Sequence, residues 1–245
     1  MNSTIFTSCD PVYLRDHAPT LVASAVLSGH DIHLHVSYIE KEIDVMSIKD
    51  ECGRLAGRCL DIAPDSLVTY SVSSIEQNVE PDRDTRVYYA CDRFYSARYW
   101  LRNFKSLFIV DTDCLIMRKM EEPAESIGLF LRKPLDTTIE WETEGTRVAA
   151  GLVYVKNDIL GQQFLDTVVH HINDGPARWF LDQVSLSRVS NLIDSDKIHK
   201  FGPETLDWEF LPGTSIWTGK GDRKYNNEKY ISMKYSFIRK LYATV

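Results

Sequence analysis

Asp111 and Asp113 stand at i and i+2 directly after the apolar run Leu107-Phe108-Ile109-Val110, and they have the clearest capacity for chemistry in this chain. In an extended segment both carboxylates fall on one side and Thr112 on the other. Two like charges at a buried strand end call for a compensating cation, and oxygen ligands favour Mg²⁺ or Mn²⁺ completed by substrate phosphates and water. The apolar run reads as a strand buried on both faces. In open α/β sheets, the carboxyl edge of such a strand is where ligands bind. The competing reading is a strand that ends in two solvated aspartates capping neighbouring amides.

Three other places suit a ligand. Asp10 and Tyr13 follow the first apolar segment, where a carboxylate can accept from a base or ribose while a ring stacks; a turn aspartate and a half-buried tyrosine would look the same. Ala149, Ala150 and Gly151 let a ligand or another backbone approach closely, as close strand-helix packing also would. Asp182 and Gln183 lie near a helix start, where the dipole alone favours an acid. His33 and His35 share a strand face, but the sequence offers them no further metal-ligating partner.

The elements that must position these residues alternate along the chain. Thr4–Cys9 reads as a strand ended by Asp10-Pro11, residues 13–28 as a helix closed by Gly29, and Ile32–Ile39 as a second strand. A helix over 45–60, a strand over Ser66–Val72, a helix over Tyr88–Leu101 and the strand into Asp111 follow. Further strands are expected at Ile127–Leu131 and Val148–Val155, then a helix from Asp158 to Gly175 and another over Trp179–Leu192. The alternation predicts an α/β fold with a mostly parallel sheet and helices on both faces. With no repeat, low-complexity tract or linker, residues 1–245 read as one domain.

Composition narrows the class. With 44% hydrophobic and 26% charged residues, 245 residues describe a globular chain large enough for a full core. No 20-residue apolar run exists to span a bilayer, and Met1-Asn2-Ser3-Thr4 lacks signal-peptide features, so a cytoplasmic location is expected. Cys9, Cys52, Cys59, Cys91 and Cys114 match no zinc spacing and read as reduced thiols. Residues 216–245 hold seven Lys or Arg against two acids, whereas the whole chain carries −7. An acidic protein with a basic tail suggests a small phosphorylated ligand and argues against nucleic acid, which usually meets a broader positive field. The Lys-Tyr pairs at 224, 229 and 234 recur every five residues, which keeps neither a helix face nor a strand face, and they read as a solvated or phosphate-facing tail.

In order, Ser8-Cys9-Asp10-Pro11-Val12-Tyr13, the helix around Arg93, Lys105 through Asp111-Thr112-Asp113, Ala150-Gly151-Leu152-Val153-Tyr154-Val155, Leu181-Asp182-Gln183 and Trp217-Thr218-Gly219-Lys220 span about residues 4–225. This set resembles the GT-A glycosyltransferases, and within them the retaining family 8 group of glycogenin-like and bacterial galactosyl- and glucosyltransferases. The resemblance implies a UDP-sugar donor, an acceptor that the sequence does not specify, and a Mn²⁺ or Mg²⁺ held by Asp111 and Asp113. It implies that Ser8, Asp10 and Tyr13 hold the uridine, and that Arg93, eighteen residues before Asp111, reaches the diphosphate or sugar, with Arg98 as the fallback. Thr112, Ala150, Gly151, Gly219, Lys220 and Lys224 complete the implied donor site, and Asp182 and Gln183 take the catalytic positions at the donor sugar. Two positions depart from the family pattern: Ala149 stands where a polar residue is usual, and Ile216 stands where a metal-binding histidine is usual.

Two rival readings share these residues. Phe108-Ile109-Val110-Asp111-Thr112-Asp113 also looks like the first motif of haloacid-dehalogenase-type phosphatases, but it arrives after more than 100 residues, and Gly221-Asp222 follows no apolar run. A nucleotide-sugar-binding protein that has lost catalysis is the other, and the missing histidine leaves it open.

Overall fold

The computed structural model describes residues 3–39, 43–75, 84–133 and 137–243. In chain order the elements are β1 (Thr4–Cys9), α1 (Pro11–Asp16), α2 (Ala18–Leu27), β2 (Asp31–Tyr38), α3 (Val45–Ile62), β3 (Val68–Ser74), α4 (Thr85–Trp100), β4 (Ser106–Val110), β5 (Cys114–Ile116) and β6 (Ile127–Leu131). They continue with α5 (Glu140–Arg147), β7 (Val148–Lys156), α6 (Ile159–Asp174), α7 (Leu181–Ser190), β8 (Ile198–Phe201), β9 (Leu206–Asp207), β10 (Ile216–Thr218), α8 (Arg223–Asn226) and α9 (Glu228–Tyr242).

Seven strands form one sheet in the order β3-β2-β1-β4-β7-β6-β8. Every pair is parallel except those that β7 makes with β4 and β6. All five residues of β4 are buried, which suits a central strand covered on both faces, whereas the edge strand β3 leaves its residues half-buried or exposed. One face is covered by α2, α3 and α9, whose Leu21, Cys52 and Phe237 join Ile5, Leu34 and Phe108 in one apolar cluster. The other face is covered by α4, α6 and α7 through Phe94, Leu165 and Leu186. A small second sheet, β5-β10-β9, lies beside this core. This is the expected mostly parallel α/β architecture. Among the described residues, no helix is long and apolar enough to cross a membrane, and all five cysteines are buried and free.

Four local expectations change. The helix over 13–28 is two helices, because the backbone breaks at His17 (φ −130°, ψ −39°), where Pro19 in the first turn of α2 has no amide to bond back. The helix expected from Trp179 starts at Leu181, since Phe180 is left-handed (φ 73°). Asp111–Asp113 is not extended: Cys114 N–H donates to the Asp111 carbonyl at 3.0 Å and closes a turn. The basic tail is not a solvated appendage either. Its first segment is β10 in the second sheet, and α9 buries Tyr230, Phe237 and Leu241 in the core.

His33 and His35 belong to a buried polar layer between β2 and β3. His33 bonds Thr69 Oγ1 at 2.8 Å and Ser71 Oγ at 2.9 Å, and His35 bonds Ser71 Oγ at 2.7 Å. Burial pushes His33 down to about 4, with the neighbouring His35 adding to the effect, and burial pushes His30 down to about 4, with Lys119 adding. His30 Nε2 accepts the Met120 amide at 2.9 Å, which requires that nitrogen to be unprotonated. Above pH 6.5 these rings are neutral in the folded and unfolded states alike, and pH has no leverage through them. Below 6.5 only the unfolded chain takes up the protons, so stability falls from pH 6.5 towards 4, by up to about 1.4 kcal/mol per pH unit for each ring. Urea midpoints at pH 7 and pH 5 check this: a clear drop is expected, and equal midpoints would contradict buried neutral histidines.

Candidate active site

The strand order changes direction at β1, which has β2 on one side and β4 on the other, and in open α/β sheets the ligand crevice lies at such a switch point, here the carboxyl ends of β1 and β4. Register sets Phe6 beside Ile109, and the two ends are then stitched together. Thr7 Oγ1 donates to the Val110 carbonyl at 3.0 Å and shares a 2.8 Å hydrogen bond with Thr112 Oγ1. The side chain of Thr112 is therefore turned inward, to Thr7 and the Ser8 carbonyl. Asp10 caps α1 by accepting the Tyr13 amide at 2.7 Å. Ser8 Oγ donates to Asp92 at 3.1 Å, and the Asp92 carboxylate also accepts from Ser37 and Ser96.

The two aspartates of the turn are each met by an internal cation. Arg93, on α4, bonds Asp111 Oδ1 through one amino group and Asp182 Oδ2 through the other at 2.6 Å. It thereby joins three positions that lie far apart in the chain. The Arg93 and Asp182 side chains are 9% and 6% exposed, which makes theirs a buried ion pair. Lys224 Nζ donates to Asp113 Oδ2 at 2.8 Å and to Tyr13 Oη at 2.6 Å. Burial lowers the proton affinity of this ammonium, but the Asp113 carboxylate overcompensates and holds it above the usual lysine value. Tyr230 Oη and the Gly219 amide both donate to the Asp113 carbonyl, at 2.6 and 3.2 Å.

Two glycines make room for this arrangement. A Cβ on Gly151 would lie 2.8 Å from Asp111 Oδ2, and one on Gly219 would lie 2.7 Å from Lys224 Cβ. Ala150, next to Gly151 on β7, faces the opposite apolar cluster. Gln183 Oε1 accepts from Arg132 Nη2 at 2.7 Å. Lys220 Nζ stands 5.4 Å above the Trp208 ring. Arg98, the fallback for Arg93, instead pairs with Asp166 away from this cluster.

Sequence reasoning missed Arg132 and Tyr230. Arg132 had a usable signal, because the apolar run Ile127–Leu131 leads into it just as Leu107–Val110 leads into Asp111. Tyr230 had none, since only the docking of α9 brings it to the turn. As a cation site, Asp111 and Asp113 offer hard oxygen ligands from one turn, and no third His, Cys, Asp or Glu joins them among the described residues. Ile216 is fully buried in the apolar core. The donor chemistry of the pair suits Mg²⁺ or Mn²⁺ completed by phosphate and water, but one oxygen of each carboxylate already accepts from Arg93 or Lys224.

The fold is one that solved glycosyltransferase structures share. No protein-family model matches the sequence, and no curated protein matches it. Among solved structures, the apo structure of the bifunctional glycosyltransferase WbbM is similar with TM-score 0.62 at 11% identity, over 98% of this chain and 49% of that one. The glycosyltransferase GlyE of Streptococcus pneumoniae TIGR4 is similar with TM-score 0.55 at 11% identity, over 98% of this chain and 63% of that one. The chain thus spans about half the length of the first and under two thirds of the second. At this identity the likeness establishes a shared fold.

Proposed function

We propose that the chain is a glycosyltransferase that moves a hexose from a UDP-sugar to an acceptor with retention of anomeric configuration, in the manner of family 8. The observation that carries the proposal is the Asp111-Arg93-Asp182 bridge beside the Asp113-Lys224-Tyr13 chain, at the crevice of a glycosyltransferase fold. Ser8, Asp10 and Tyr13 line the β1 end for the uridine. Asp111 and Asp113 would hold Mn²⁺ or Mg²⁺, which when bound supplies charge neutralisation at the departing diphosphate. Lys224 adds a fixed positive charge at the same place, with Gly219 and Lys220 on the adjoining segment. Gly151 and Gln183 flank the donor sugar, while Ala150, turned to the apolar cluster, packs the strand behind them. Asp182, oriented by Arg93, sets a carboxylate where positive charge develops at the anomeric centre.

The other readings have less support. Asp222 lies at the start of α8 and not at a strand end, which deprives a dehalogenase-type phosphatase of its second acidic pair. A binding-only protein shares the crevice, and turnover separates it from an enzyme.

A thermal-shift series with UDP, GDP, ADP and UDP-sugars, with and without Mn²⁺, tests the assignment. A ligand at 100 times its Kd stabilises the native state by about 2.7 kcal/mol. UDP and UDP-sugars are expected to raise Tm, and more so with Mn²⁺, while GDP and ADP do not. Equal shifts for all nucleotides would overturn the uridine assignment, and UDP binding without UDP-sugar turnover would leave only the binding function.

A further inference from the structure

Arg132 follows directly from the carboxyl end of β6, and among the described residues its guanidinium forms no ion pair. Nη2 donates to two neutral acceptors, Gln183 Oε1 at 2.7 Å and the Val148 carbonyl at 3.2 Å. Its Nε is buried with no hydrogen-bond partner. The carboxylate acting on it is that of Asp182, which Arg93 already engages. Among the described residues, neither Arg132 nor Lys220 forms an ion pair, although Arg223 nearby has Glu209.

Lys220 and the strand end that carries Arg132 share an aromatic neighbourhood. Phe130 and Arg132 are two residues apart at the end of β6; the Trp208 ring packs edge-on against Phe130 at 5.7 Å, and Lys220 Nζ sits 5.4 Å above the same indole. Burial and the Arg132 charge together bring Lys220 down to about 8. Two cations that oppose each other, one with an unpartnered buried N–H, are costly unless an anion joins them. Gln183, which Arg132 contacts, is assigned above to the donor sugar, whereas the diphosphate is assigned to Asp111, Asp113 and Lys224.

We propose that Arg132 and Lys220, above Trp208, form a subsite for an anionic group, a carboxylate or a phosphate, carried by the sugar-side substrate. The guanidinium offers a fork of donors to such a group, the ammonium a point charge, and the indole an apolar face for the ring that bears it. The inference rests on the sugar-nucleotide reading above and refines its substrate class, from a plain hexose to an acidic or phosphorylated one on the donor or on the acceptor.

Calorimetry on the full chain distinguishes the two sources. The donor arm compares UDP-glucuronate with UDP-glucose. The acceptor arm compares glucuronate and glucose 6-phosphate with glucose, with and without saturating UDP. In at least one arm the anionic ligand is expected to bind tenfold or more tightly than its neutral counterpart, and this preference is expected to collapse in Arg132→Gln and in Lys220→Gln. The lysine variant changes a residue with no hydrogen-bond or ion-pair partner among those described and keeps the test valid if the arginine variant folds poorly. Equal affinities in both arms, or a preference that survives both substitutions, would overturn the subsite. So would an equal loss of affinity for UDP alone, because the two cations would then serve the diphosphate. Failure of the wild type to bind UDP would instead reject the sugar-nucleotide reading, and the acceptor arm without nucleotide would still decide the anion site.

Discussion

Replacing Arg93 with alanine is expected to cost about 3–5 kcal/mol of stability as well as the donor site. The Arg93 side chain is 9% exposed and satisfies two carboxylates from different parts of the chain. Removing one partner of a buried ion pair leaves an uncompensated charge, and such losses are typically of this size. The damage falls on α4, β4 and α7 together, since Asp111 follows β4 and Asp182 opens α7. A structural role alone would weaken uridine and UDP-sugar binding equally at a temperature where the variant is folded. A role at the diphosphate or sugar predicts a much larger loss for UDP-sugar than for uridine. Denaturant unfolding together with calorimetry of both ligands reads the two effects separately, and an unchanged unfolding midpoint would mean that the bridge contributes nothing to the fold. Arg93→Lys tests geometry, because an ammonium lacks the two parallel donor directions that reach Asp111 and Asp182 at once.

Asp113→Asn and Asp111→Asn are expected to reduce UDP-sugar turnover by on the order of 10²–10³, the scale seen when one electrostatic contact to a developing charge is lost. From sequence, the two aspartates are a repelling pair whose neutralisation would hold or raise stability. The structure reverses that sign, because Lys224 and Arg93 already compensate them. Asp113→Asn is therefore expected to destabilise the fold, by about 1–3 kcal/mol, since it leaves the Lys224 ammonium buried beside a neutral amide. Pairing it with Lys224→Met gives a double-mutant cycle, in which the double variant loses clearly less than the sum of the single losses. Additive losses would show that the 2.8 Å contact carries no coupling, and near-normal turnover in either aspartate variant would remove the turn from the site.

The sequence by itself determined six of the seven strands of the main sheet, whereas β8 and the short strands β5, β9 and β10 carry no such signal. Apolar runs such as Leu107–Val110 and Val148–Val155 are of strand length and rich in β-branched and aromatic residues, helical spacing marks α3 and α6, and a charged residue ending a two-face-buried run lies at a sheet edge. Ser8, Asp10, Asp111 and Asp113 were legible for that reason, since their positions follow from local periodicity and strand polarity. Tertiary structure alone decided what each charge meets. Arg93 reaches Asp182 across 89 residues of chain, and Lys224 reaches Asp113 across 111. Neither contact has a local sequence signature, because side-chain pairing at such separations depends on how helices pack across the sheet. The basic tail shows the same limit. Its charge was countable and its five-residue period fits no regular face, yet β10 and α9 fold it into the core, because Ile216, Tyr230, Phe237 and Leu241 gain more by leaving water than the lysines between them lose.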